Sequence, residues 1–261
     1  MNILTIGDIV ARPGRRVLTE NLESIQRDLN IDFTVVNVEN AAGGFGITKK
    51  ILDDFHALNI DVMTSGNHIW DKREALDFID QHPDLLRPHN YPEGTPGSGW
   101  VVRQTAGGIR VGVLNLMGQA FMQPILDSPF AMVDQVLELS RSEFDIIVVD
   151  FHAETTSEKI AMGWHLDGRV AAVVGTHTHV PTADERILPK GTAYITDLGM
   201  TGCYDSVIGS DKQAVLERLV HKMQRRLEPA AGNASLCGAL IDVDERNGLA
   251  NSIKRIRVEQ A

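Results

Sequence analysis

Five apolar runs of strand length alternate with polar segments, and each run leads to a polar residue that could bind a metal. The runs are 2–7, 33–38, 61–66, 145–149 and 170–174, and they lead to Asp8, to Glu39-Asn40, to Asn67-His68, to His152 and to His177-Thr178-His179. Predominantly apolar runs of this length, with a turn signal behind each, are typical of buried strands. In open α/β sheets ligands bind at the carboxyl ends of the strands. The pattern therefore predicts a site at one edge of one sheet.

Helical periodicity follows the first three strands. Apolar residues at helical spacing predict helices over 13–29, which Pro13 opens, over 48–58, with Thr48 as N-cap, and near 74–79. This alternation of strands and helices predicts a parallel sheet with right-handed crossovers. Further helices are predicted over 130–140 and 212–227. Late strands over 192–196, 235–243 and 251–258 predict a second, mostly antiparallel sheet packed on the first.

The alternation is interrupted between residues 81 and 129. Proline and glycine over 81–99 exclude regular structure and predict a domain linker or, preferably, a surface loop near the site. Strands over 100–104 and 109–115 form a predicted hairpin around Ala106-Gly107-Gly108. The segment 118–129 carries Phe121 and Met122 as exposed apolar residues, which predicts either a cap over the site or a packed loop. We treat 1–261 as one domain with a cap or loop region around 81–129.

Composition and charge narrow the class of protein. A chain of 261 residues with 43% hydrophobic and 23% charged residues is typical of a globular protein. The net charge of −10 argues against a groove for long nucleic acid. It allows a small phosphorylated substrate, because bound cations reverse the local field. Cys203 and Cys237 indicate reduced thiols. A strand begins at once and no apolar run reaches membrane-spanning length, so we expect a cytoplasmic protein without a membrane partner.

Each candidate ligand also has a structural interpretation. His177 and His179, two residues apart, could share a face or lie at the surface by chance. His152 could be a satisfied core histidine, Asp8 could cap the first helix, and Glu39-Asn40 could be a turn. These alternatives are reasonable one by one, but each needs a separate explanation at the same end of the sheet.

The complete ligand set indicates two metal ions. One tetrahedral ion with an open position needs fewer than the seven candidates, which are Asp8, Glu39, Asn40, Asn67, His152, His177 and His179. Oxygen and imidazole ligands without thiolate suit Zn, Mn or Fe. The set fits two ions about 3.5–4 Å apart that share a bridging carboxylate and a bridging hydroxide. Such a pair lowers the pKa of water and clamps a phosphoryl group.

The motifs resemble those of calcineurin-like metallophosphoesterases. The resemblance rests on Gly7-Asp8, on Asn40 after an acidic residue, on Gly66-Asn67-His68 and on the run 175–179, Gly-Thr-His-Thr-His. Nearly the full chain is similar to the YmdB-like branch, described as cyclic-nucleotide phosphodiesterases, through the stretches 150–154, 163–169, 183–189 and 197–202. The superfamily usually has Asp-x-His in its first motif and a bridging Asp. This chain has Asp8-Ile9-Val10 and Glu39, and the branch supplies Asn40 instead of the histidine.

The resemblance implies a fold, a cofactor and a role for each residue. The fold would be a four-layer α/β/β/α sandwich, and the cofactor two divalent or trivalent ions, with Fe as first candidate and Mn or Zn as alternatives. One ion would take Asp8, Asn40 and His179, the other would take Asn67, His152 and His177, and Glu39 would bridge them. His68 would act as general acid.

These expectations describe a phosphodiesterase that hydrolyses 2′,3′- or 3′,5′-cyclic nucleotides. The partner would be a small phosphodiester, and a homo-oligomer is allowed. A phosphomonoesterase or nuclease would use the same metals with a different pocket. A non-catalytic nucleotide sensor would require a degraded metal shell, and only Val10 departs from the superfamily pattern in that sense.

Overall fold

Two β-sheets packed face to face form the centre of the molecule. The computed structural model describes residues 1–140 and 142–260. The strands in this part of the chain are β1 (Asn2–Ile6), β2 (Phe33–Asn37), β3 (Val62–Thr64), β4 (Trp100–Gln104), β5 (Arg110–Met117), β6 (Ile146–His152), β7 (Ala172–Thr176), β8 (Arg186–Ile187), β9 (Ala193–Ile195), β10 (Ser235–Asp244) and β11 (Leu249–Glu259). The helices are α1 (Ala11–Asp28), α2 (Lys49–His56), α3 (Ala75–Phe78), α4 (Pro129–Leu139), α5 (Thr156–Leu166) and α6 (Lys212–Val220), with a 3₁₀ turn at Ile79–Gln81.

The two sheets differ in their strand order and share a parallel centre. The first sheet has the order β11-β10-β1-β2-β3, with β1, β2 and β3 parallel and with β10 antiparallel to both β1 and β11. The second sheet has the order β4-β5-β6-β7-β9-β8, in which β5, β6, β7 and β9 are parallel and both edge strands are antiparallel. Parallel strands direct their carboxyl ends to the same edge of a sheet, so each sheet offers one edge for a site.

Alternating side chains bury both faces of each sheet. In β1, Ile3 packs between the two sheets, whereas Leu4 packs with α1 and α2 on the outer face. In β6, Val148 packs between the sheets and Val149 packs with α4 and α5. Full burial of each such side chain contributes about 1.5–3 kcal/mol. The result is the four-layer α/β/β/α sandwich that the resemblance implied.

The assignment of strands to sheets corrects the sequence prediction. The five strands that lead to candidate ligands do not share one sheet, because β1 to β3 lie in the first sheet and β6 and β7 in the second. The late strands do not form a separate antiparallel sheet either: β10 and β11 extend the first sheet, and β9 joins the second in parallel. A buried run predicts a strand but not its partner, which long-range packing decides.

The helix predictions are confirmed for α1, α2 and α4, with small shifts of their ends. Thr48 caps α2 by accepting a hydrogen bond from Ile51 N, as its type and position indicated. The predicted helix over 212–227 is too long, since α6 ends at Val220, and α5 was not predicted at all. Among the described residues, the helices lack the length and apolar character that crossing a bilayer requires.

The segment between residues 81 and 99 is irregular, as its prolines predicted. Leu85 and Leu86 are nevertheless fully buried, and single bridges join them to Met63 and Ser98. In the following segment Phe121 is 89% exposed, as predicted. Met122 is only 2% exposed and packs with Met117 and Leu126, so its prediction as an exposed residue was wrong. A cap formed by 81–129 stays a prediction.

Candidate metal centre

The carboxyl ends of both sheets meet at one place, and the seven candidate ligands lie there. Asp8 follows β1, Glu39 and Asn40 follow β2, and Asn67 follows β3, all in the first sheet. His152 is the last residue of β6, and His177 and His179 follow β7, in the second sheet. The facing sheets thus supply oxygen ligands from one side and imidazoles from the other.

Two clusters of possible ligands share one residue. Glu39, His152 and His177 form the first cluster, and Asp8, Glu39 and His179 form the second. Within each cluster, one ligand atom of every residue lies within 4.8 Å of those of the others. Glu39 therefore lies between two places that could each hold a metal ion.

The first cluster is crowded with hydrogen-bond acceptors. The Nε2 atom of His152 lies 3.0 Å from Asn67 Oδ1, 3.0 Å from His177 Nδ1 and 3.2 Å from Glu39 Oε1. One shared proton can satisfy only part of these lone pairs, whereas a cation satisfies all of them. The arrangement therefore fits a metal ion.

The second cluster has its acceptors oriented in the same way. Asn40 Nδ2 donates to Gly44 O at 2.9 Å, which turns Asn40 Oδ1 into the site. His179 Nδ1 lies 2.9 Å from Ile208 O and is the donor there, which leaves the lone pair on Nε2. That Nε2 lies 3.3 Å from Asn40 Oδ1 and 3.9 Å from Asp8 Oδ1.

Two buried oxygen atoms in the centre have no hydrogen-bond partner among the described residues. They are Asp8 Oδ1 and Glu39 Oε1; the 3.2 Å approach of His152 Nε2 to Glu39 Oε1 lacks hydrogen-bond geometry, and both residues are fully buried. An unpaired buried charge is costly, so buried carboxylates are normally paired or bind metals. Asp8 does not cap a helix, because α1 begins after Val10 without a side-chain cap. The residues present therefore fit a cationic group.

The pKa values show how burial and the neighbouring charges act on the candidate ligands. Burial, with a smaller contribution from Glu39, raises the pKa of Asp8 to about 6 against the attraction of His179 and His152. Burial also opposes ionisation of Glu39, but His152, His68 and His177 together hold the pKa of that carboxyl below its usual range. Burial and the neighbouring His152 lower the pKa of His177 to about 3, which keeps this imidazole neutral and able to bind a metal.

A buried relay orients His152. Its Nδ1 lies 3.0 Å from Thr176 Oγ1, which in turn donates to Asp150 Oδ1 at 2.7 Å. Asp150 also accepts hydrogen bonds from Thr64 and Asn37 and so links the two sheets beneath the site. Partners of this kind fix the ring of a ligating histidine and direct its other nitrogen toward the metal.

The turn that carries His177 and His179 is strained and supported from below. The φ angles of these residues are 102° and 64°, values that cost non-glycine residues about 1–3 kcal/mol each. Asp197 holds the turn between them, because its Oδ2 accepts from Thr178 N at 3.1 Å and from Thr178 Oγ1 at 2.8 Å. Lys159 from α5 lies 2.6 Å from the same oxygen, and both side chains are 1% exposed. This buried ion pair positions the two imidazoles.

His68 lies at the wall of a cavity of about 490 Å³ over the centre. Its backbone N–H donates to Glu39 Oε2 at 3.2 Å, and its Nδ1 lies 2.8 Å from Asp71 Oδ2. The Phe45 ring and the imidazole pack in a T-shaped arrangement, with 4.8 Å between centroids. These contacts orient the ring and leave Nε2 for a ligand. The cavity is otherwise lined by metal-centre residues and by an apolar side that includes Phe45, Val180, Ile208, Leu227 and Pro229.

Gly66 lets His152 and Glu39 approach the end of β3. A Cβ atom built on Gly66 would overlap the His152 imidazole and the Glu39 carboxylate. We expect Gly66→Ala to displace both side chains and to lower metal content and activity together, with a stability cost of about 1–3 kcal/mol for overpacking. Elemental analysis and denaturant unfolding would measure the two effects. Gly107→Ala is the matched control, because a Cβ there meets only Thr105 Oγ1 at 3.7 Å; equal loss in both variants would contradict the assignment.

The supporting residues were not recognised in the sequence. Asp150 lies within an apolar strand, where a carboxylate is itself a signal, and Asp71 follows His68 by three residues within one turn. Glu154, whose Oε2 lies 3.1 Å from His177 Nε2, and Asp197 lie in stretches that carried the family resemblance, but neither they nor Lys159 had an assigned role. Their roles depend on contacts between distant segments.

Comparison with known proteins identifies the family to which the chain is similar. The family model described as "YmdB-like protein" matches residues 4–256. A Bacillus subtilis protein named 2′,3′-cyclic-nucleotide 2′-phosphodiesterase is 47% identical, and the alignment covers 99% of this chain and 97% of that protein.

Two crystal structures show the same fold over the whole chain. One is a hypothetical protein from Thermus thermophilus, with 38% identity, a TM-score of 0.93 and complete coverage of both chains. The other is described as a novel phosphatase from Mycoplasma pneumoniae, with 32% identity and a TM-score of 0.93 over 99% of this chain and 93% of that one. The resemblance indicated by the motifs is confirmed, and the chain belongs to the YmdB-like protein family.

Proposed function

We propose that the protein is a phosphodiesterase with a two-metal centre that hydrolyses cyclic nucleotides. One ion would be held by Asp8, Asn40 and His179, and the other by Asn67, His152 and His177. Glu39 would bind both. The observation that carries the proposal is the pair of ligand clusters that share Glu39, together with the unpartnered oxygens of Asp8 and Glu39. Iron is the first candidate for the ions, with manganese or zinc as alternatives.

Different residues of the chain would hold the ions, orient the ligands and transfer a proton. Two bound ions would supply Lewis acidity, which activates water at neutral pH and offsets negative charge that develops on the phosphoryl group. Asp150 and Asp197, through Thr176 and Thr178, hold the imidazoles in place. His68 would donate a proton from Nε2 to the departing ribose oxygen, while Asp71 keeps the ring oriented through Nδ1.

The cavity suits a nucleotide because both candidate metal ligands and apolar side chains line it. The phosphate would lie against the ligands at the floor, and the base would pack on the apolar side near Phe45 and Ile208, which are 39% and 56% exposed. A volume of about 490 Å³ lies within the range of small-ligand sites, about 300–1,000 Å³. The Bacillus subtilis relative is named for cleavage of the 2′ bond, so we propose a nucleoside 3′-monophosphate as the product from a 2′,3′-cyclic substrate.

A panel of substrates tests this function. Purified protein with measured metal content would be incubated with 2′,3′-cyclic and 3′,5′-cyclic nucleotides, a nucleoside monophosphate and single-stranded RNA. We expect the fastest turnover with a cyclic nucleotide, and chromatography would identify the isomer of the product. Preference for the monophosphate would instead favour a phosphomonoesterase, in line with the relative described as a phosphatase. Preference for RNA would favour a nuclease, and binding without turnover would favour a sensor.

A further inference from the structure

A third cluster of metal-binding side chains lies apart from the centre described above. It consists of His56, His82 and Asp84, and one ligand atom of each residue lies within 4.8 Å of those of the others. His56 is the last residue of α2, and the other two follow the 3₁₀ turn near the outer edge of the first sheet. Asp84 O accepts a hydrogen bond from Met63 N in β3, at 2.7 Å. The cluster thus joins the helix layer to the edge of the sheet.

We propose that His56, His82 and Asp84 bind a transition-metal ion of the Zn²⁺ class, separate from the metal centre at the strand ends. Two imidazoles and one carboxylate with a water in the fourth position are a regular ligand set for this metal. His56 is exposed and the other two residues are partly exposed, so the cluster is open to ions in solution. We therefore expect a site that binds and releases metal rather than a closed one.

The geometry of the cluster is close to what a tetrahedral ion requires. His56 Nε2 lies 2.7 Å from Asp84 Oδ2, and the two imidazole rings stack with 5.1 Å between centroids. Ligand bonds of about 2.0–2.1 Å place tetrahedral ligand atoms roughly 3.3 Å apart. The three candidate ligand atoms lie within 4.8 Å of one another, so binding requires shifts on the scale of side-chain rotations rather than of the backbone.

The charged groups around the cluster are compatible with a bound cation. Arg103 lies near the other oxygen of Asp84, at 3.6 Å from Oδ1, so Oδ2 can turn to a metal without breaking that contact. Lys49 is paired with Asp53 on the solvent side of α2. The carboxyl end of α2 adds a partial negative charge beside His56. Burial and the nearby His56 and Lys49 lower the pKa of His82, which favours the neutral imidazole that a metal needs.

A bound ion would tie α2 to the segment that borders β3. Any ligand that binds only the folded state stabilises it, and the effect grows with the ratio of ligand concentration to Kd. The proposed consequence is a Zn²⁺-dependent rise in thermal stability that does not require a change in catalytic activity.

The test uses protein whose metal centre is already loaded. Equilibrium dialysis against buffered Zn²⁺, with elemental analysis of both compartments, should show one further Zn²⁺ per chain with the resident metals unchanged, together with a rise in Tm at the same free Zn²⁺ concentration. His82→Gln should lower the affinity for the additional Zn²⁺ by at least roughly 10–100-fold. That is the cost of losing a residue that only supports a metal ligand, and His82 would itself be a ligand. It should also remove the rise in Tm and keep the basal activity.

Two more variants make the result decisive. His56→Gln, at the exposed end of α2, should have the same effect as His82→Gln and guards against misfolding of one variant. His221→Gln is the matched control, because His221 is an exposed histidine at the end of α6, outside the cluster. Equal additional Zn²⁺ in all proteins, or no additional Zn²⁺ in the unsubstituted one, would overturn the proposal.

Discussion

Glu39→Gln is expected to reduce the content of both metal ions and to lower activity by at least about 10²–10³-fold. Loss of a single group that stabilises transition-state charge typically lowers the rate by this factor. The factor is a lower bound here because Glu39→Gln would remove two ions. The physical reason is that Glu39 belongs to both ligand clusters, and an amide cannot supply the negative charge that two cations share. Elemental analysis of purified protein and turnover of a cyclic nucleotide would measure the two losses.

Two variants separate a bridging role from a general loss of charge. His152→Ala should chiefly reduce the content of one ion, because His152 belongs to one cluster only. Glu154→Gln removes the same charge as Glu39→Gln from the wall of the same cavity, but its carboxylate contacts His177 from the far side, at Nε2. We therefore expect it to retain two ions. A Glu39→Gln protein with two ions and an unchanged rate would show that Glu39 does not bridge.

The positions of the strand ends could be read from local sequence, but the pairing of the strands could not. The run Phe33–Asn37 carries no charged residue and has Phe33, Val35 and Val36 among its five positions, which predicts a buried strand that ends before Glu39. Whether β6 lies beside β2 or in a facing sheet depends on packing between segments more than 100 residues apart, as the contact of Asn37 with Asp150 illustrates. The five strands were wrongly predicted to share one sheet. The candidate ligands nevertheless lie close together, because the carboxyl edges of both sheets meet at the same place.

The candidate ligands could be predicted more readily than the residues that support them. His177 and His179 stand out by type and spacing next to a strand end. Lys159 is fully buried, although its position in a polar stretch of α5 gave no reason to expect burial. Its ion pair with Asp197 exists only because α5 packs against the end of β7, and a buried pair of this kind is a tertiary feature without a local pattern.

His68→Ala is expected to reduce hydrolysis of a cyclic nucleotide by about 10²–10⁴-fold, the usual contribution of a general acid. The same change should have a much smaller effect on bis-p-nitrophenyl phosphate. A ribose alkoxide is a poor leaving group that must be protonated, whereas p-nitrophenolate departs readily without a proton. His68 lies at the cavity wall with Nδ1 held by Asp71, so its Nε2 is the nitrogen available for this proton. Parallel rate measurements on the two substrates would give the ratio directly.

Metal content decides what an equal loss on the two substrates would mean. If His68→Ala lost metal and lost both activities equally, His68 would be a ligand or a structural residue, which its backbone contact with Glu39 makes a real alternative. Equal loss with both ions in place would indicate a role in substrate positioning. Asp71→Asn adds an independent check, because it keeps the imidazole but weakens its orienting partner. If His68 is the acid, this variant should show the same preference between substrates as His68→Ala, with a smaller loss, and an unchanged ratio in both variants would exclude proton transfer by His68.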